Sequence, residues 1–170
     1  MRLSRSARSL IHLVVNNSGA DSNPALLGVV AANPEIFKTN AQGWAAALNQ
    51  DQTVNGPGNP AQADTIVTVF GTGFGPLTPE PQDGSILTGV LAALDASAVD
   101  IMQAIAVNPA RLEVSYAGPA PNSVAGVIQI NFRLPKTLNA PTLATPPFEY
   151  PLRVLVNGWS SSTFLMAIPK

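Results

Sequence analysis

The chain has 170 residues, 46% of them hydrophobic and 11% charged, with 16 prolines, 13 glycines and a formal net charge of -1. That length suits one domain with a proper core plus an appendage, and falls short of two domains of ordinary size. Lys and Arg are scattered singly, which argues against nucleic acid as a partner, and the absence of cysteine removes disulfides, thiolate chemistry and Cys-based zinc sites.

Residues 1–9 carry Arg2, Arg5 and Arg8 in the manner of a signal-peptide n-region. The apolar run that follows, Leu10 to Val15, is interrupted by His12 and is much shorter than a secretory h-region or the roughly 20 residues of a membrane span. Neither an export signal nor a membrane span is therefore expected within the chain. Leu10 to Ala32 reads LIHLVVNNSGADSNPALLGVVAA, a looser copy of PLRVLVNGWSSSTFLMAIP at Pro151 to Pro169. Both run from an apolar strand through an Asn/Gly turn and a Ser-containing stretch to a second apolar strand. The expectation is a β-hairpin within residues 1–32 that resembles the tail of a preceding module. Burying a handful of its apolar side chains contributes ~6 to 12 kcal/mol. Ordering about twenty residues costs more, at ~1 to 2 kcal/mol each for the backbone alone. Such a hairpin does not hold by itself; it either docks on the main sheet or belongs to a longer array.

From residue 33 the pattern is that of short strands and turns. A strand is expected near Ala45 to Asn49, with Trp44, like Phe148 and Tyr150, packed in or against the core. Asn49, Asp51, Thr53 and Asn55 then alternate oxygen-bearing side chains before Gly56, faintly like a calcium loop. The twelfth position of that register is Pro60 where an EF-hand needs a bidentate Glu, so an Asx-rich turn is the competing reading. Thr65 to Phe70 is β-branched almost throughout and suits a buried strand. Gly71, Gly73 and Gly75 invite a phosphate loop, but Pro76-Leu77-Thr78-Pro79 follows where that mechanism needs a helix N-terminus. A bend or bulge at a strand end explains these glycines better.

Val90 to Ser97 reads as loop or short helix, and Val99 to Ala106 as strand. In Arg111 to Tyr116, Leu112, Val114 and Tyr116 alternate with Arg111, Glu113 and Ser115; in Val127 to Leu134, Ile128, Ile130, Phe132 and Leu134 alternate with Gln129, Asn131 and Arg133. Period two means one buried and one wet face. Leu152 to Val156 and Phe164 to Ile168 complete the set, with Asn157-Gly158 supplying the positive φ values of a tight hairpin. The sum is an all-β, immunoglobulin-like β-sandwich of about seven or eight strands over residues 33–170. Its framework is Val67, Val69, Leu112, Val114, Ile128, Ile130, Phe132 and Val154.

Two long segments, ALNQDQTVNGPGNPAQADTIVTVFGTGFGP at Ala47 to Pro76 and YAGPAPNSVAGVIQINFRLP at Tyr116 to Pro135, closely resemble the hallmark segments of the Solibacter-type uncharacterised C-terminal domain of acidobacterial exported proteins. NPEIF at Asn33 to Phe37 resembles the segment that opens it, and the strand before Gly71-Thr72-Gly73-Phe74-Gly75 is similar to the signature of IPT/TIG immunoglobulin-like domains. The resemblance implies a secreted or cell-surface module beside other modules of a larger exported protein, and implies no activity. Ala106-Val107-Asn108, where the family often has a Gly-Gly turn, and the long Asn139 to Pro147 stretch depart from its pattern.

Three functions follow as expectations. The first is a non-catalytic structural or adhesive module, without cofactor, whose further partner is a polysaccharide or a surface protein. The second is a carbohydrate-binding accessory module, for which Trp159 at the predicted hairpin tip, Tyr150 and Trp44 are the candidate contacts. The third is a hydrolase, which would have to rest on His12, the single histidine, or on two of the loop acids. His12 sits between Ile11 and Leu13 with no acid nearby to orient it, and no spacing pairs any two acids. A metal reading is confined to Asn49, Asp51 and Asn55.

Overall fold

A computed structural model describes residues 9–88, 94, 98–104, 111–137 and 148–169; within them the chain is all-β, without an α-helix. It divides into two units, Met1–Ala31 and Ala32–Lys170. In the first, β1 (Ser9–Leu13) pairs antiparallel with β4 (Ala25–Val29), and β2 (Asn16–Asn17) with β3 (Ala20–Asp21). Ser18 and Gly19 form the two-residue turn between β2 and β3, with φ of 52° and 90°. Positive φ at both central residues gives the turn a twist that matches the flanking strands. The hairpin expected within residues 1–32 is thus present, and its first eight positions lie outside the described residues.

The second unit contains β5 (Glu35–Ile36), β6 (Ala47–Leu48), β7 (Ile66–Thr72), β8 (Ile86–Leu87), β9 (Val99–Gln103), β10 (Arg111–Pro119), β11 (Ser123–Val124), β12 (Ile128–Arg133), β13 (Phe148–Val156), β14 (Trp159–Ser160) and β15 (Phe164–Ile168). Nine of them form one curled antiparallel sheet in the order β14-β13-β9-β10-β12-β7-β5, with β15 also on β13 and β6 also on β7, while β8 and β11 make a separate pair. The sheet-forming strands outnumber the expected seven or eight because β5, β6 and β14 are only two residues long, too short to show a period.

Strand β10 explains how one sheet yields two layers. Its start, Arg111 and Leu112, pairs with Met102 and Ile101 of β9, whereas Glu113 to Pro119 pair with β12. A strand that changes partners along its length turns the sheet through a corner. The ladder to β12 also slips by one residue between Val114 and Tyr116. Ser115 is the extra residue, so the inward face shifts: Ala117 is buried and Tyr116 is only half-buried, its hydroxyl donating to the Pro119 carbonyl at 2.8 Å.

The core is built from the alternating positions. Val67, Val69, Ile130, Phe132 and Val154 are fully buried, Ile128 and Leu112 nearly so, and Val114 packs against them from the edge. The opposite end of the sheet closes on β15. The Leu165 amide donates to Gly43 O at 2.8 Å and the Ala45 amide donates to Leu165 O at 2.9 Å, forming a parallel bridge between Trp44 and Leu165. The expected strand at 45–49 narrows to β6 plus this bridge. The strand expected over 99–106 ends at Gln103, and its last two positions lie outside the described residues, as do Ala106-Val107-Asn108, Asn139 to Pro147 and all of Val90 to Ser97 except Leu94.

Candidate functional site

The loop from Asn49 to Asn59 is the most polar structure built into the module. Asn49 and Asn55 are buried, and their amides point inward. Asn55 Nδ2 donates to Ala167 O at 2.9 Å while its Oδ1 accepts from the Ala167 amide at 2.9 Å. The side chain thereby acts as one peptide unit of an additional strand along the outer edge of β15. Asn55 Nδ2 also donates to Asn49 Oδ1 at 3.0 Å, and Asn49 Nδ2 donates to Asn59 O at 3.0 Å. Asp51 joins this network through Thr53: its Oδ1 accepts from Thr53 Oγ1 at 2.6 Å and from the Thr53 amide at 3.0 Å, and Thr53 Oγ1 in turn accepts from Asn59 Nδ2 at 2.6 Å. The Thr53 hydroxyl, then its amide, hold the Asp51 carboxyl below its ordinary value of 3.8.

These bonds are those of the Asx-rich turn that competes with the calcium-loop reading of Asn49, Asp51 and Asn55. Asn55 Oδ1 accepts from the Ala167 amide, Asn49 Oδ1 accepts from Asn55 Nδ2, and Asp51 Oδ1 closes an Asx turn with Thr53, so each of these oxygens already has a donor. Among the described residues no group of three His, Asp or Glu side chains is placed to hold a metal ion.

The candidate aromatic contacts do not form a row. Tyr150 is 2% exposed, inside the core on β13, because its position alternates in phase with Leu152 and Val154; burial pushes its hydroxyl above the ordinary value of 10.0. Tyr150 is therefore a core residue and is withdrawn as a contact. Trp159 opens β14 directly after the Asn157-Gly158 turn, whose φ values of 48° and 84° match the expected tight hairpin, and its ring packs half-buried against the core. Trp44 is half-buried beside β15.

The glycines at the end of β7, Gly71 and Gly73, serve a close backbone approach. A Cβ on Gly71 would lie 2.4 Å from Glu35 O, and one on Gly73, at φ 79°, would lie 2.1 Å from Asn33 O. Residues 33–36 run along that edge, with Asn33 N donating to Gly73 O at 2.8 Å and Glu35 paired with Thr72. The bend reading holds, and no helix follows to receive a phosphate.

One cluster escaped the sequence reading. Glu35, Lys38 and Ser162 meet at the start of the unit and beside β15. Lys38 Nζ donates to Glu35 Oε1 at 2.9 Å and also to Ser162 Oγ, the Ser162 hydroxyl donates to Glu35 Oε1, and the Ser162 amide donates to Glu35 Oε2 at 3.0 Å. Burial opposes ionisation of Glu35, but the Ser162 hydroxyl, Lys38 and the Ser162 amide outweigh it and hold the carboxyl below its ordinary 4.5. A serine beside a lysine suggests a nucleophile and its base. Here the ammonium is ion-paired to Glu35, with no lone pair to accept the hydroxyl proton, and the Ser162 hydroxyl already donates to the carboxylate. The arrangement is a polar clamp between residues 127 positions apart. Nothing in sequence spacing could have found it. His12 lies exposed on β1 opposite Leu26, away from any such constellation within its own unit.

No family model, no curated protein and no solved structure matches this chain.

Proposed function

We propose that residues 32–170 form a structural spacer module of a secreted or cell-surface protein, built to carry tension between the segments on either side of it. The observation that supports this most directly is the bonding of the early segment from Gly43 to Ala61 to β15, the unit's last strand. The Gly43–Ala45 segment runs parallel to β15, bonded through Leu165, and the Ala61 amide donates to Ala167 O at 3.0 Å. Asn55 grips Ala167 from the same side, and Glu35 grips Ser162. Pulling the chain away from both sides of the unit first loads the pairing of residues 33–37 with β7, and once that yields it drags the parallel Gly43–Ala45 segment and β15 in opposite directions along their own axes. Their hydrogen bonds are then loaded together in shear, rather than opened one after another as at the end of an antiparallel ladder. A barrier of that kind resists forced unfolding, which is governed by the unfolding rate.

The immunoglobulin-like character and the resemblance of Ala47 to Pro76 and Tyr116 to Pro135 to the Solibacter-type domain support the same reading, since they imply a module beside others in an exported protein. The carbohydrate-binding alternative needs an exposed row of aromatics, and Tyr150 lies in the core.

The test is single-molecule extension of the full chain, with handles at its two ends or, for comparison, at Asn122 and Asn157. The expected result is one unfolding event at distinctly higher force for end-to-end pulling, reduced by Asn55→Asp. Equal forces in the two geometries would refute the spacer reading. Saturable binding to a polysaccharide array that is lost in Trp159→Ala would replace it with carbohydrate recognition.

A further inference from the structure

The hairpin of the first unit and the last hairpin of the second are the same object, residue for residue, at a displacement of 139 positions (148 − 9). Ser9 pairs with Val29 as Phe148 pairs with Ile168, and Leu13 pairs with Ala25 as Leu152 pairs with Phe164. In both, the ladder then slips by one residue before two inner pairs, Asn16 with Asp21 and Asn17 with Ala20 against Leu155 with Ser160 and Val156 with Trp159. Both close on a two-residue turn with positive φ at each position, 52° and 90° against 48° and 84°.

At the slip the same serine does the same work. Val15 N donates to Ser22 Oγ at 3.0 Å, Ser22 N donates to Val15 O at 2.9 Å, and the Ser22 hydroxyl donates to Asn23 O at 3.1 Å. In the last hairpin Val154 N donates to Ser161 Oγ at 2.9 Å, Ser161 N to Val154 O at 2.8 Å and the Ser161 hydroxyl to Ser162 O at 2.7 Å. Leu13, Val15, Gly19, Ser22 and Leu26 are identical to their counterparts Leu152, Val154, Gly158, Ser161 and Leu165. A generic hairpin has no need of a serine-bridged slip at the same place, with the same turn beyond it.

The surroundings of the two copies differ. Tyr150, Leu152, Val154, Met166 and Ile168 are buried in the core, and β13 is paired along its other edge with β9. Their counterparts Ile11, Leu13, Val15, Leu27 and Val29 are all apolar and 43 to 59% exposed, on a sheet of two strands. We infer that the 9–29 hairpin is the closing hairpin of a tandem copy of this module, and that its apolar face and β1 edge are a docking surface for one occupant: a strand framework equivalent to residues 32–147, whose strand corresponding to β9 pairs along β1. That framework differs in detail from this one, since Asn17 and Ala25 stand where the last hairpin has Val156 and Phe164. It carries bulkier side chains opposite Ala25.

The test supplies the occupant. Residues 32–147 are repeated ahead of residue 9 in the full chain, and amide exchange of Val15 and Leu27 is compared with that in the unextended chain. A second form adds Asn17→Val and Ala25→Phe to fit the hairpin to this particular framework. The expected result is exchange slowed by about 100-fold or more in the fitted form and by less in the unfitted one, with the gain abolished by Leu13→Asp. Unchanged exchange in both forms would overturn the inference. Slow, concentration-dependent protection already present in the unextended chain would also overturn it, in favour of pairing between hairpins.

Discussion

Replacing Asn55 by Asp preserves the size of the side chain and its acceptor for the Ala167 amide, but removes the amide donor and installs a carboxylate. Two oxygens then face the new group, Ala167 O from 2.9 Å and Asn49 Oδ1 from 3.0 Å, where the wild-type Nδ2 donates to both. Ala167 O keeps the Ala61 amide, so its loss is partial, but Asn49 Oδ1, on a residue 8% exposed, loses its partner. Leaving buried polar groups unsatisfied costs about 1 to 3 kcal/mol, and a buried carboxylate oxygen facing two acceptors adds to that, so the expected destabilisation is about 3 kcal/mol. Asn55→Ala removes the same donor and orphans the Ala167 amide as well, but installs no charge, and should cost about 2 to 4 kcal/mol. For a unit of this size 3 kcal/mol lowers the melting temperature by roughly 10 °C. Thermal and urea unfolding of both variants measure the effect. An Asn55→Asp protein within about 0.5 kcal/mol of wild type would show that the loop is held by shape alone and would refute the assignment of Asn55 as a surrogate strand.

Gly73→Ala combines a left-handed φ, at about 1 to 2 kcal/mol, with a clash on the Asn33 carbonyl, at about 1 to 3 kcal/mol, whereas Gly58→Ala meets nothing within 4 Å; urea midpoints should separate the two clearly. Phe132→Ala should cost about 3 to 5 kcal/mol by calorimetry, because the ring is fully buried between the layers. Glu35 has a folded-state pKa below its ordinary 4.5, so its contribution is present above that value and is lost as pH falls through the lower, folded-state value. In Glu35→Gln that part of the acid sensitivity should vanish, and superimposable pH–stability curves for the two proteins would contradict the clamp.

The long strands were legible because one face of each is wet. Ile128, Ile130 and Phe132 alternate with polar residues, and their burial follows at period two. Strand β10 shows where alternation stops being informative. Read from the sequence, Tyr116 continues the face of Leu112 and Val114, but the extra residue at Ser115 hands that face to Ala117. A bulge is set by pairing with β12, and no local pattern in β10 announces it. The short strands left no period to read at all.

The candidate sites divide along the same line. Asn49, Asp51 and Asn55 stood out by composition; Asp51 closes a local turn with Thr53, but the role of Asn55, and through it of Asn49, depends on Ala167, 112 residues beyond Asn55. Tyr150 was open to both readings by residue type, core or contact, and its phase on β13 buries it. The chain by itself determined its all-β class, its framework residues, its Asn157-Gly158 turn and the likeness of its two hairpins, because these rest on periodicity and on the φ preferences of single residues. Only the tertiary structure decided that Asn55 completes the edge of β15, that Glu35 meets Ser162 and that the Gly43–Ala45 segment runs parallel to β15. Those contacts join residues more than a hundred positions apart, and local sequence carries no record of which backbone groups the fold leaves in need of a partner.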